Sequence, residues 1–314
     1  MTPLVATQTP VPATETPIPD TALPPETAAP VPAAPTAPAM TFAVTGDFGV
    51  GDKGPREVSA LVASWNPAFV ITTGDNYYPH AGGQGTGEYD ASVGAFYGDW
   101  LKDISTTGSF CPVGRASVNA FFPSLGNHDY VDGTPNTYLT YFDLPGAGFK
   151  NSSGNERYYD FIEGPIHFFV LNSNAEEPDG VSETSKQAQW LHTQLRRSKS
   201  RWNIVYDHHP PYCSDTHRGS TSYMEWPFAK WGADVVISGH GHVYERIKRD
   251  GIVYFVNGVG GAGRYSFGTP VQGSVVRYNA GWGAQKVTAT DKSLHFQFIN
   301  TGGVVVDGCW LRPK

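Results

Sequence analysis

Met40-Thr41-Phe42-Ala43-Val44-Thr45-Gly46-Asp47-Phe48-Gly49 is a near-continuous apolar run that stops at a Gly-Asp pair. Such a run suits a strand buried on both faces. The pattern repeats along the chain. Phe69–Thr73 leads into Gly74-Asp75-Asn76-Tyr77-Tyr78, and Asn119–Leu125 into Gly126-Asn127-His128-Asp129. Trp202–Tyr206 leads into Asp207-His208-His209-Pro210, and Asp234–Ser238 into Gly239-His240-Gly241-His242. Ile166–Leu171 is a further run of the same kind. Between the first two lies Pro55–Asn66, where Val58, Leu61, Val62 and Trp65 fall at helical spacing behind a proline. Ser182–Ser198 places Ala188, Leu191 and Leu195 on one helical face. The β-α-β order predicts an α/β chain with a parallel sheet and helices outside it. After residue 244 the runs turn hairpin-like: Ile252–Val256, Val275–Asn279, Lys286–Thr290, Leu294–Ile299 and Val304–Trp310. They predict a second, more antiparallel sheet.

The chemistry lies at the strand ends. In open α/β sheets, ligands sit beyond the carboxyl ends of strands. Five such ends here carry carboxylate, amide, phenol and imidazole groups. Four of the blocks place Gly just before the candidate ligand, where close approach of another backbone or an ion excludes a Cβ. A single Gly-Asp after a strand is ordinarily a turn. Five blocks in one reading direction are hard to produce as turns. The mixed oxygen and nitrogen donors suit iron, zinc or manganese and are too rich in nitrogen for calcium. Seven donors are too many for one ion but fit two ions sharing a carboxylate, the usual clamp for phosphate-ester hydrolysis.

These blocks, in this order, resemble the calcineurin-like metallophosphoesterase superfamily: GD, GD, GNH, a single His, then GHxH. The Tyr three residues after Asp75 is similar to the GDxxY motif of purple acid phosphatases. Gly239-His240-Gly241-His242-Val243-Tyr244-Glu245-Arg246 is similar to their GHxHxYER. The layout resembles the small single-domain type, although the Tyr-Glu-Arg tail resembles the large type and Asp129 stands where the large type often has Glu. The resemblance implies a four-layer α/β/β/α sandwich with mixed sheets and the metal site at the strand C-terminal ends. It implies that Asp47, Tyr78 and His242 hold a ferric ion. Asn127, His208 and His240 would hold Fe(2+), Zn(2+) or Mn(2+), and Asp75 would bridge the two. His128 would contact the substrate phosphate and protonate the leaving group. Val205-Tyr206-Asp207-His208 fits the family's VxxH, which selects His208 over His209; strand alternation would aim His209 elsewhere. His217 sits where some relatives place another substrate-contacting His. Arg218 beside it reads as a solvated loop charge, with phosphate binding as the other reading.

The implied function is an acid phosphatase, a phosphoric monoester hydrolase acting by attack of metal-bound hydroxide. Asp47, Asp75 and a Tyr78 phenolate bring three negative charges against the five positive charges of a ferric and a divalent ion. The resulting local field attracts a phosphate dianion to an acidic protein. The expected partner is a small-molecule phosphate ester. Rival readings are a phosphodiesterase or nucleotidase of the same superfamily, and an exported binding scaffold without activity.

Composition bounds the rest. The chain has 314 residues, 22 Lys and Arg against 29 Asp and Glu, and a net charge of −7, so no broad basic surface invites specific nucleic-acid binding. No apolar run approaches a transmembrane length. Residues 1–40 hold eleven Pro, nine Ala and eight Thr, with no Gly, aromatic, Lys or Arg. That composition predicts a disordered, extended stalk ahead of a catalytic domain over residues 41–314. The stalk points to export, to a secreted or cell-surface location, with possible tethering through it; no signal peptide is visible in this chain. Cys111, Cys213 and Cys309 form no CxxC motif and leave two readings open: one disulfide plus a free thiol, or three buried thiols. Asn151-Ser152-Ser153 fits the N-glycosylation pattern. Gly258-Val259-Gly260-Gly261-Ala262-Gly263 matches GxGxxG, but no helix start follows it and no Asp or Glu occurs between Asp250 and Asp291. It reads as a Gly-rich loop near the metal site rather than a dinucleotide cradle. His80, His167, His192 and His295 read as packing or surface residues.

Overall fold

The computed structural model describes residues 39–79, 85–130 and 133–313. The predicted stalk up to residue 38, and His80, lie outside the described residues. The strands are β1 (Met40–Thr45), β2 (Phe69–Thr72), β3 (Phe121–Pro123), β4 (Tyr159–Glu163), β5 (Ile166–Val170), β6 (Trp202–Tyr206) and β7 (Val235–Ser238), then β8 (Tyr244–Arg249), β9 (Ile252–Asn257), β10 (Ser274–Tyr278), β11 (Gly283–Thr290), β12 (Ser293–Asn300) and β13 (Val305–Leu311). One sheet runs β13-β12-β11-β1-β2-β3, the other β10-β8-β9-β7-β6-β5-β4.

Both sheets are mixed, and this corrects one expectation. The strands after residue 244 do not build a sheet of their own. β11, β12 and β13 extend the first sheet through an antiparallel β1–β11 pair, while β8, β9 and β10 extend the second. The physical reason is edge satisfaction. β1 would otherwise be an open edge, and the late strands close it on one side while β2 closes it on the other. β4 and β8 lay hidden in the sequence because Asp160, Glu163, Glu245, Lys248 and Arg249 break their apolar runs.

Each sheet has a parallel core. β1, β2 and β3 are parallel, and so are β5, β6, β7 and β9. The near-continuous apolar runs arise because both strand faces are covered. On β6, Trp202, Ile204 and Tyr206 enter the core between the sheets, while Val205 joins an outer core with Leu191 and Leu195. β5 and β7 divide in the same way. The inner core is aromatic. Phe122 stacks on Phe161 at 3.9 Å between ring centroids, Tyr244 on Phe298 at 4.0 Å, and Phe42 meets Phe168 edge-on at 5.4 Å. Each of these pairs joins one sheet to the other.

The two predicted helices form the outer cover. Helix Lys53–Ser64 starts where Asp52 accepts from the Gly54 N–H at 2.9 Å, and it buries Val58 and Val62. It packs against β11. Helix Lys186–Arg197 starts at Ser185, whose hydroxyl accepts from the Ala188 N–H. Its Arg196 and Arg197 complement the negative end of the helix dipole. All three cysteines are free and buried, so the disulfide reading falls. Among the described residues, no helix is long and apolar enough to cross a membrane.

Candidate metal centre

The loops that leave β1, β2, β3, β6 and β7 bring the candidate donors to one place. Asp47, Asp75 and His240 all have positive φ, at 57°, 51° and 63°. A non-glycine residue pays for that conformation, and it persists only where the surroundings enforce it. The turn at each of these positions folds the side chain back across the strand ends. The preceding glycines are sterically required. A Cβ on Gly126 would stand 2.2 Å from the Asp75 backbone nitrogen, and one on Gly239 would stand 2.6 Å from Oδ2 of Asp47.

The donors meet in a chain. The Tyr78 hydroxyl lies 3.2 Å from Nε2 of His242, which lies 3.3 Å from Oδ1 of Asp47. Both Asp47 oxygens accept from the His240 backbone N–H, at 3.1 and 3.0 Å. Nδ1 of His240 is 3.1 Å from Nε2 of His208. That same His208 nitrogen is 3.1 Å from Oδ1 of Asn127 and 3.4 Å from Oδ1 of Asp75. Two triplets, Asp47–Asp75–His208 and His208–His209–His240, each have all their donor atoms within 4.8 Å of one another.

Hydrogen bonds at the far side of the rings fix which nitrogen faces inward. His208 Nδ1 donates to the Thr73 carbonyl at 2.7 Å, and His242 Nδ1 donates to the Gly263 carbonyl. Each Nε2 therefore presents a lone pair to the centre when the imidazole is neutral. For His208 that lone pair faces oxygen lone pairs on Asn127 and Asp75. Such a set repels itself unless a cation lies among its members, and a backbone-pinned imidazole is the usual support for a metal ligand. The electrostatics agree. Burial pushes Asp47 up to about 7, despite its contacts with His242, and raises Asp75 as well. Burial holds His208 and His240 well below the ordinary histidine value. It also raises the Tyr78 phenol, helped by Asp75 and Asp47. His242 goes the other way: burial lowers it, but the Asp47 carboxylate at its side raises it further. Incoming cations would favour the ionised carboxyls and the neutral forms of all three imidazoles. The residues fit two cations.

His128 sits at the mouth. Its backbone N–H donates to Asp75 at 2.9 Å, and its ring lies 4.3 Å from that of Tyr78. Burial lowers its pKa against the pull of Asp75. His217 is exposed and makes no contact with the donors; its ring lies 4.5 Å from Tyr265, which in turn stacks on His242 at 4.2 Å. His209 is nearer the donors than alternation suggested. β6 ends at Tyr206, so alternation does not extend to residues 208 and 209. The His209 ring lies 4.4 Å from His240, and its Nδ1 meets the Ser173 hydroxyl at 2.9 Å.

Two supporting residues were assigned no role from the sequence. Tyr265 backs His242 from a distant loop. Asp129 accepts from the Gly126 N–H at 2.8 Å, from the Asn76 amide at 3.0 Å and from the Tyr89 hydroxyl at 2.7 Å, tying the Asp75 and Asn127 loops together. The Gly-rich loop behaves as its sequence implied. Gly260 N–H donates to the Gly46 carbonyl and Ala262 N–H to the Asp47 carbonyl, so the loop buttresses the first candidate donor. No helix follows it.

The chain belongs to the calcineurin-like phosphoesterase family, whose model matches residues 40–244. Within that family its similarity is to purple acid phosphatases. Purple acid phosphatase 23 of Arabidopsis thaliana is 26% identical over 234 residues, covering 66% of this chain and 48% of that protein. The Fe(3+)-Zn(2+) purple acid phosphatase 12 of the same plant is 40% identical over 84 residues, 23% of this chain and 18% of that protein. The structure of purple acid phosphatase PPD1 from yellow lupin seeds superposes with a TM-score of 0.68 at 16% identity, over 88% of this chain and 54% of that chain, a likeness of fold. The chain spans less than half the length of the curated relatives it matches.

Proposed function

We propose that the chain is a phosphoric monoester hydrolase of the acid phosphatase type, working with two cations. The observation that supports this most is the convergence of Asp47, Asp75, Tyr78, Asn127, His208, His240 and His242 from five strand ends into one continuous chain of donors. In this reading Asp47, Tyr78 and His242 would hold Fe(3+), Asn127, His208 and His240 would hold Fe(2+), Zn(2+) or Mn(2+), and Asp75 would be shared between them. Such ions polarise phosphoryl oxygens and make water acidic enough to attack phosphorus below neutral pH.

The protein's own residues do the rest. Asp75 accepts from the His128 N–H, so the residue that would be shared between the ions also orients the loop that carries the proton donor. The His128 imidazole, half-buried at the mouth, donates its ring proton to the departing alkoxide. Tyr265 keeps the His242 ring in plane by stacking on it. The Pro/Thr/Ala-rich first 40 residues support an exported, stalked arrangement of this hydrolase.

Initial rates on an aryl phosphate monoester and the matching diester, from pH 4 to 9, test the proposal. Monoester turnover with its maximum below neutrality supports it. Diester preference or an alkaline maximum moves the chain to the phosphodiesterases or nucleotidases. No turnover after reconstitution with iron and zinc leaves a binding scaffold.

A further inference from the structure

His209 stands beside the donor chain without the bonding pattern of its members. One of its ring nitrogens lies within 4.8 Å of ring nitrogens of both His208 and His240. Its ring centroid is 4.9 Å from that of His208 and 4.4 Å from that of His240. Pro210 follows it and restricts its backbone. Against the ring sits Ser173, three residues past the end of β5 and fully buried. The Ser173 carbonyl accepts from the Tyr223 hydroxyl at 3.1 Å, which helps to pin the serine.

The Ser173 hydroxyl decides which His209 nitrogen carries the proton. Its oxygen accepts from two backbone N–H groups, that of His208 at 3.3 Å and that of His209 at 2.8 Å. A hydroxyl has two lone pairs and one hydrogen. Both lone pairs are therefore taken, and the hydrogen is left for His209 Nδ1, 2.9 Å away. A neutral ring whose Nδ1 accepts carries its proton on Nε2. This is the reverse of His208 and His242, whose Nδ1 atoms donate to the carbonyls of Thr73 and Gly263 and leave lone pairs at Nε2. Neither nitrogen of His209 thus offers a free lone pair to a cation. Nε2 offers an N–H instead. That N–H has no hydrogen-bond partner among the described residues, and His209 is only half-buried.

We propose that His209 donates its Nε2 hydrogen to a non-bridging oxygen of the phosphoryl group bound next to His208 and His240. It is then a substrate-contacting residue and not a metal ligand. This contact rests on the hydrolase reading. A hydrogen bond to a charged oxygen is stronger than a neutral one, and a donor fixed in advance costs no reorganisation as charge builds on that oxygen. No motif marks the role, because the tautomer is set by Ser173, 36 residues away in the chain.

Gln and Asn separate the two ring nitrogens. The carboxamide nitrogen of Gln reaches roughly the place of Nε2, and that of Asn roughly the place of Nδ1. Wild type, His209→Gln and His209→Asn, as the full chain loaded with iron and zinc, are compared in kcat/KM on 4-nitrophenyl phosphate, in calorimetric affinity for inorganic phosphate, and in metal content by elemental analysis. His209→Asn should keep its metal and lose about tenfold in both kcat/KM and phosphate affinity. His209→Gln should recover most of that loss. If Asn performs as well as Gln or better, or both variants match the wild type, the Nε2 contact is absent and the hydrolase reading is untouched. Loss of metal in either variant makes His209 a ligand or a support of one, and overturns the proposal. If the ester is not turned over while phosphate affinity still falls in His209→Asn and recovers in His209→Gln, the hydrolase reading fails and the His209 contact stands. A wild type that neither binds phosphate nor turns over the ester overturns both.

Discussion

The Tyr78 hydroxyl stands 3.2 Å from Nε2 of His242, the nitrogen left free by the donation of Nδ1 to the Gly263 carbonyl. A phenol and an imidazole lone pair thus face one point, with the Asp47 carboxylate beside them. Burial, together with Asp75 and Asp47, holds the phenol protonated far above neutrality while no cation is present. Binding of a trivalent ion should therefore expel that proton. Iron-loaded protein should be violet from phenolate-to-iron charge transfer, and Tyr78→Phe should lose the colour while retaining iron by elemental analysis. A colourless wild type with full iron content would remove Tyr78 from the ligand set.

Asp129 touches no candidate donor side chain, yet it fastens two ligand loops through Gly126, Asn76 and Tyr89. Supports of this kind typically carry a 10–100-fold effect on metal affinity or activity. Asp129→Ala should weaken metal retention on dialysis against a chelator by about that factor. A variant that retains metal like the wild type and turns over equally fast would show that the loops hold themselves.

Much of this was legible in the sequence because the chemistry sits immediately after regular strands. Six of the early apolar runs are strands within a few residues of their expected limits, and the glycines before Asp47, Asp75, Asn127 and His240 mark close approaches that only a missing Cβ permits. The sheet partners were not legible. A strand's residues say that both its faces are covered, but β1 accepts β11 from more than 230 residues away through backbone groups that every residue carries. The short helical turns over residues 86–100 lacked a usable period, since Gly87, Gly94 and Gly98 interrupt it. Tyr265 and Asp129 were invisible as site residues because their roles depend on contacts across the fold.

The Tyr-Glu-Arg sequence that follows His242 is structural. Along β8, Tyr244 and Arg246 point across to β13, where both bind Asp307, while Glu245 points the other way to Ser214. The Arg246–Asp307 pair is bidentate and buried, and it ties one sheet to the other. Removing one partner leaves an uncompensated buried charge, which typically costs about 3–5 kcal/mol. Asp307→Ala should therefore unfold at markedly lower urea concentration. A double variant, Arg246→Met with Asp307→Leu, should recover much of the loss. Equal destabilisation of the single and double variants would show that lost packing, not stranded charge, sets the cost.

Asp207 offers a pH test away from metal loading. Its Oδ1 accepts from the Ser238 hydroxyl at 2.6 Å, while Oδ2 is buried without a hydrogen-bond partner. Burial pushes the carboxyl from 3.8 up to about 7, and Ser238 offsets only part of that. The folded state thus holds the proton more tightly than the unfolded state. The stability from this group is complete below the unfolded value and is lost as pH rises through about 7. Asp207→Asn cannot titrate, so its stability relative to wild type should rise between pH 4 and pH 8, by at most about 4 kcal/mol. Urea unfolding of the metal-free proteins across that range reads the difference directly. A difference that is flat with pH would mean that the Asp207 carboxyl has an ordinary pKa in the folded chain, with water or a moved neighbour serving Oδ2.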